Sequence, residues 1–376
     1  METLLHSVKT IRVLFPDGSE SVVESSLNVL CALAIVRGVS SVSDLANLIH
    51  SPVGIDEWES AMKIVNLGVT SPSGRFDMKR IVRDNKYALF VQESISFMKR
   101  EDLSQFLGHI MEFSVDSFGC RVIQRLIEVS SVDDILRMVY PELCAKIIDC
   151  AMDVNGNHVV QKLVDNLPSR ECKFIVDAIL ADQGITLRQL CSHCFGCRVV
   201  QRIMSKCHSS ESESLFEALC SDPTLIGFLA ADAFGNYVIQ HTIEYGRPID
   251  RERMIVYLAT MDLVALCCCK YASNVVEKAI RIQNKPSLST QNSVLVMRLL
   301  IGSLVSYQNG ESSILTLMKD RYGNYVVRAI VELTNPELAF EVQQVTRIIV
   351  ENAACLKKFT FSWHLVERLG KRNLGL

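Results

Sequence analysis

Apolar residues recur along this chain at the three- and four-residue steps of a helix with one buried face. Val122, Ile123, Leu126 and Ile127 make one such stripe, and Val159, Val160, Leu163, Val164 and Leu167 make another. The residues that lead into the stripes are patterned too. Six segments read small residue, two variable residues, two β-branched apolar residues and a long polar side chain: GCRVIQ at 119–124, GNHVVQ at 156–161, GCRVVQ at 196–201, GNYVIQ at 235–240, ASNVVE at 272–277 and GNYVVR at 323–328. Counted from the residue after the small one, the copies lie 37, 40, 39, 37 and 51 residues apart. A period of about 40 is too long for one helix and suits a unit of two or three. The expected fold is therefore all-α, an α-solenoid of stacked helical repeats.

Each motif is expected to open a helix, with the small residue at the chain's entry and a turn-closing Asp three residues earlier. That Asp stands at Asp84, Asp116, Asp153, Asp232 and Asp320, and His193 and Cys269 replace it in the other two copies. The set includes a weaker copy, YALFVQ at 87–92, lying 32 residues before Cys120. Further helices are expected over 170–181 and 253–267, with breaks at Pro168 and Pro248. The longest interval holds two polar, turn-rich segments, 283–293 and 307–313, read as loops around a helix at 294–305. Residues 1–50 carry no copy and stay unassigned, and residues 51–59 fit a degenerate copy by spacing alone. The repeat domain is placed at 51–376, with clear repeats over about 75–345 and a cap over about 346–376.

Within a motif, the first and fifth residues after the small one are a helical turn apart and point the same way, as Asn236 and Gln240 do. The second, Tyr237, is turned aside by about 100°. Two polar side chains thus face one object, with a flat side chain beside it. A nucleobase needs this: hydrogen-bonding groups at its edge and a stacking partner at its face.

Composition narrows the picture. Hydrophobic residues make up 49% and charged residues 22%, with a net charge of −3, so any polyanion must be met by local chemistry on one face. Fourteen cysteines, and an opening that lacks a basic start and apolar run, are read as a reducing, cytoplasmic setting. The apolar stretch at 30–36 is too short for a membrane span. Cys191, Cys194 and Cys197 share an iron–sulfur-like spacing but lack the fourth ligand, and the scattered histidines form no catalytic signature. Neither an enzyme nor a cofactor or metal is expected.

The motifs resemble those of the Pumilio (PUF) family of RNA-binding proteins, whose repeats read one base each of single-stranded RNA. The order CRxxQ, NHxxQ, CRxxQ, NYxxQ, SNxxE, NYxxx is similar to that of the third to eighth repeats of the family's type member, over roughly residues 75–370. The resemblance implies eight repeats in a crescent, with RNA antiparallel on the concave face. It also implies a monomer that represses or destabilises messenger RNA through recruited co-repressors or a deadenylase. Beside it, the side chains can be read in turn. Glu277, with Ser273, accepts two N–H donors, as guanine presents. Asn157 with Gln161, and Asn236 with Gln240, suit uracil, while Cys120 with Gln124, and Cys197 with Gln201, leave room for adenine. Arg121, His158, Arg198, Tyr237, Asn274 and Tyr325 would stack. The combined preference is about 5′-UGUAUA-3′, with Asn324 and Arg328 on the 5′ base.

Two copies depart from the pattern. Arg328 stands where the family's uracil reader has Gln, and Ala88 and Leu89 leave Gln92 alone at the 3′ end. Arg125, Lys162, Arg202 and Lys278 are candidates for RNA backbone contacts. Two rival readings remain: a protein-interaction solenoid with weakened RNA binding, and a shape-selective RNA binder in ribosome assembly.

Overall fold

A close crossing sets the small position of each motif. A Cβ added to Gly119 would lie 2.7 Å from the Phe113 carbonyl oxygen, and one on Gly156 would lie 2.5 Å from that of Cys150. In the five motifs that open on glycine, the backbone of a short preceding helix runs directly over the start of the motif helix and leaves no room for a Cβ; the motif at 272–277 opens on Ala272 instead. The turn between the two is closed by the residue three places earlier. Asp116 Oδ1 accepts the backbone N–H groups of Phe118 and Gly119 at 2.9 and 2.8 Å. Asp153, Asp232 and Asp320 repeat the arrangement. His193 does so with Nδ1, which accepts from Phe195 and Gly196. In the third motif a ring nitrogen thus fills the place that a carboxylate oxygen fills in the first, second, fourth and sixth.

The computed structural model describes residues 10–24, 51–68, 106–206, 210–308 and 311–373, with single positions 33, 82, 83, 88, 91, 92, 95 and 103. Each clear motif opens a helix: α1 Gly119–Val129, α2 Gly156–Asn166, α3 Gly196–Lys206, α4 Gly235–Tyr245, α5 Ala272–Arg281 and α6 Gly323–Val331. A full unit has three helices. Around α4 these are Pro223–Ala231, capped by the Asp222 side chain on Thr224 N–H, then α4 itself, then Pro248–Thr260. The third and fourth motif residues point inward. Val122, Ile123, Val159, Val160, Val238 and Ile239 have no exposed surface, and full burial of such a side chain contributes roughly 1.5–3 kcal/mol.

The chain forms two compact units, Met1–Leu167 and Pro168–Leu376. In the first, α1 packs against α2. This unit also holds strands that the sequence reading did not anticipate: two in the unassigned residues 1–50 and one within the degenerate copy at 51–59. β1 Thr10–Leu14 pairs antiparallel with β2 Glu20–Glu24, and parallel with β3 Val53–Gly54. Ile11 and Val13 are buried while Arg12 is exposed, the alternation of a half-buried strand. The segment at 51–59 enters this sheet at Val53 and then continues as the helix Ile55–Gly68.

In the second unit α3, α4, α5 and α6 pack in sequence, each on the next. The long interval before α6 contains the helix Gln291–Val305, which starts at a Thr290–Ser293 capping box and lies against Pro248–Thr260 and Ala339–Glu351. The segment read as a loop at 307–313 includes a two-stranded pairing of Tyr307–Gln308 with Glu311–Ser312. Buried Arg251 donates to the carbonyls of Ile243, Gly246 and Leu288, tying the end of α4 to the polar segment that follows α5. Within the expected cap, the helix Thr360–Asn373 packs beside α6.

Candidate nucleic-acid interface

The six motif helices place equivalent residues in equivalent surroundings. Every second-position side chain is exposed: Arg121, His158, Arg198, Tyr237, Asn274 and Tyr325. The first-position side chains Cys120, Asn157, Cys197, Asn236 and Ser273 are buried at the helix start. Gln124, Gln161, Gln240 and Glu277 at the fifth position are half-buried.

The amide pairs show how first and fifth positions cooperate. Asn157 donates both Nδ2 hydrogens to backbone, to Asp153 O and Val154 O, and its Oδ1 accepts Gln161 Nε2–H at 2.9 Å. Asn236 and Gln240 repeat these bonds, with Nε2 at 3.0 Å from Oδ1. The backbone fixes the asparagine and the asparagine fixes the glutamine. Each glutamine keeps its Oε1 acceptor and a second N–H, the complement of uracil's N3–H and adjacent carbonyl.

Where cysteine replaces asparagine, that acceptor is gone. Cys197 Sγ donates to Cys194 O, and the buried Gln201 Nε2 has no hydrogen-bond partner. Burial pushes the Cys120 and Cys197 thiols up, so both stay protonated and act as small neutral surfaces. In α5, Ser273 Oγ donates to Lys270 O, and Glu277 Oε1 accepts from Arg281 Nε at 2.7 Å. In α6, Asn324 Nδ2 bonds Asp320 O, but Arg328 turns to Glu332. The weak copy retains little: Ala88 is buried, Gln92 donates Nε2 to the Ala88 carbonyl, and Asp84, Tyr87 and Leu89 lie outside the described residues.

The cations named for RNA backbone contact are already engaged. Arg125 and Lys162 both bond Glu128, and Lys278 bonds Glu244. Sequence reasoning missed Arg281, Glu332 and Arg368. Glu332 accepts from Arg328, Arg368 and Arg281 at 2.9, 2.7 and 3.1 Å. Burial raises its pKa, but the three guanidinium bonds outweigh burial and hold the carboxyl at about 2. The four-residue steps Glu277 to Arg281 and Arg328 to Glu332 carried part of this signal.

These features define a class: a helical repeat protein in which each motif helix starts with a buried first position, set one turn before a variable polar fifth position, beside an exposed side chain. The model of the Pumilio-family RNA binding repeat matches residues 109–140, 146–180, 187–220, 227–258, 262–282 and 313–338, one segment for each clear motif. The chain belongs to the Pumilio family. It is 28% identical over 267 residues to a Pumilio domain-containing protein of Schizosaccharomyces pombe, covering 70% of this chain and 36% of the relative. To Fem-3 mRNA-binding factor 2 of Caenorhabditis elegans it is 28% identical over 251 residues, 62% of this chain and 39% of the other. The chain thus spans well under half the length of these relatives. Its fold matches PUF-8 in complex with PBE-RNA at a TM-score of 0.71 and 23% identity, covering 92% of this chain and 95% of that one. It matches the Puf3 RNA binding domain on a Cox17 RNA 3′ UTR recognition sequence at 0.65 and 23%, covering 92% and 96%.

Proposed function

We propose that this chain binds single-stranded RNA sequence-specifically, one base to each motif helix. The preferred element is close to 5′-UGUAUA-3′ in messenger RNA 3′ untranslated regions, where the protein acts in repression or decay. The observation that carries this reading is the division within each motif helix. The second position is always exposed, while the edge pair beside it changes from amide–amide to thiol–amide to hydroxyl–carboxylate. A surface that only had to hold RNA by shape would not need differentiated edges. Guanine alone offers adjacent N1–H and N2–H donors to the Glu277 carboxylate, and the unpartnered donor of Gln201 calls for a ring-nitrogen acceptor such as adenine N1.

The relatives support this assignment, since one is an mRNA-binding factor and fold neighbours carry RNA, including 3′ UTR recognition sequences. The chain acts as an address reader, a cytoplasmic monomer that brings co-repressors or a deadenylase to its message. Binding to UGUAUA RNA and to its second-base G→C variant tests the reading. A clear preference for G is expected, and equal affinity refutes it.

A further inference from the structure

Three arginines meet at one carboxylate just beyond the sixth motif. Glu332 Oε1 accepts from Arg328 Nε and Arg368 Nη1, and Oε2 accepts from Arg281 Nη1, whose Nε is bound to Glu277. Three cations against two carboxylates leave a surplus of one positive charge. Arg328 and Arg368 each spend a single N–H on Glu332, and their side chains are 48% and 47% exposed. A guanidinium carries five N–H groups in a planar fork, so four on each make no hydrogen bond to any described residue. The carboxylate holds both forks in place, which lowers the ordering cost of binding an anion. Paired forks of this kind suit the oxygens of a phosphate. A neutral base edge would engage one fork and leave the other unused.

We propose that Arg328 and Arg368, positioned by Glu332 and Arg281, form a phosphate site that takes the RNA backbone phosphate on the 5′ side of the base facing α6. Arg328 has thus exchanged base-edge reading for backbone binding. This rests on the RNA reading above and on an RNA direction that puts the 5′ base at α6.

The test uses the full chain and two RNAs that carry one extra 5′ nucleotide before UGUAUA. In one the joining linkage is an ordinary phosphodiester, and in the other it is an uncharged methylphosphonate. The phosphodiester RNA should bind roughly tenfold more tightly. Arg368→Ala and Arg328→Gln should each bring the two RNAs to within about twofold, while Lys173→Ala, which removes an exposed cation paired with Asp177, should keep the full difference. Equal binding of the two RNAs by the unaltered chain overturns the proposal, as does an equal loss in Lys173→Ala, which would mark a general charge effect. Saturable binding of inorganic phosphate below about 1 mM without a linkage effect would assign the site to free phosphate instead. Failure to bind any UGUAUA RNA would defeat the underlying reading, and the phosphate site with it.

Discussion

Arg281 donates its Nε–H to the Glu277 carboxylate at 2.7 Å, so the single acidic fifth-position side chain among the six motifs is held from its own helix, one turn on. The amide pairs are held differently, by an asparagine whose Oδ1 takes the glutamine N–H. The two arrangements share a backbone frame, because α4 and α5 begin alike and Ser273 occupies the buried place of Asn236. Replacing Ser273→Asn together with Glu277→Gln should therefore rebuild the amide pair in α5. The expected result is a second-base preference that moves from G to U in competition among four RNAs differing only there. An unchanged preference for G in a folded double variant would show that this pair does not read the base.

The Arg198 guanidinium carbon lies 6.0 Å from the Tyr237 ring centroid. A base placed between them needs two contacts of about 3.5 Å, so the pair must open by about 1 Å. Tyr237→Ala should weaken RNA binding by roughly 1–3 kcal/mol, a loss of five- to 150-fold. Because every base has a π face, the loss should be similar for cognate and mismatched RNA. Tyr237 is 49% exposed, so the unfolding midpoint should barely move. A change in base preference without loss of affinity would contradict a stacking role.

Much of this was legible because the motif combines two periods. Helical spacing of valine and isoleucine reports the core, and a repeat of about 40 residues reports the stacking of units. The edge pairs could be read because backbone geometry alone puts first and fifth residues on one face. The carboxylate-centred cluster was harder to see. Glu332 joins arginines from α5, α6 and the helix Thr360–Asn373, and its bonds to Arg281 and Arg368 span 51 and 36 residues. Such partners are fixed by tertiary packing. The β1–β2 hairpin was missed for another reason: its alternation lasts only five residues and carries no repeat signal. Cations next to the motifs were visible, but the capture of Lys162 by Glu128 and of Lys278 by Glu244 depends on side chains one unit away.

The crossing at the motif entry yields a stability prediction. A Cβ on Gly235 would lie 2.8 Å from a Leu229 methyl carbon and 2.9 Å from the Leu229 carbonyl oxygen, which cannot swing aside. Gly235→Ala should cost about 1–3 kcal/mol by overpacking. Gly302, inside the helix Gln291–Val305, has nothing within 4 Å of its would-be Cβ. There the same substitution should stabilise by about 0.5–1 kcal/mol through helix propensity and reduced unfolded-state freedom. Opposite shifts in denaturant midpoint are expected, and a destabilising Gly302→Ala would contradict the open space at that site.

Glu244 supplies the pH dependence. Its carboxylate accepts from Lys278 at 2.5 Å and from Lys285 at 2.8 Å. These two bonds, that from Lys278 first, lower its pKa from 4.5 to about 2 against a smaller opposing effect of burial. A carboxyl depressed in the folded state binds its proton more readily when unfolded. Its contribution is therefore complete above about pH 4.5 and is lost as pH falls toward 2. Glu244→Gln removes the charge, so its destabilisation should be present at pH 7, shrink below pH 5 and vanish near pH 2. Denaturant unfolding of both proteins at pH 7, 4 and 2.5 measures this, and added salt should reduce the difference at pH 7. A difference that stayed constant from pH 7 to 2.5 would mean that the glutamate stabilises by packing, with its charge contributing nothing.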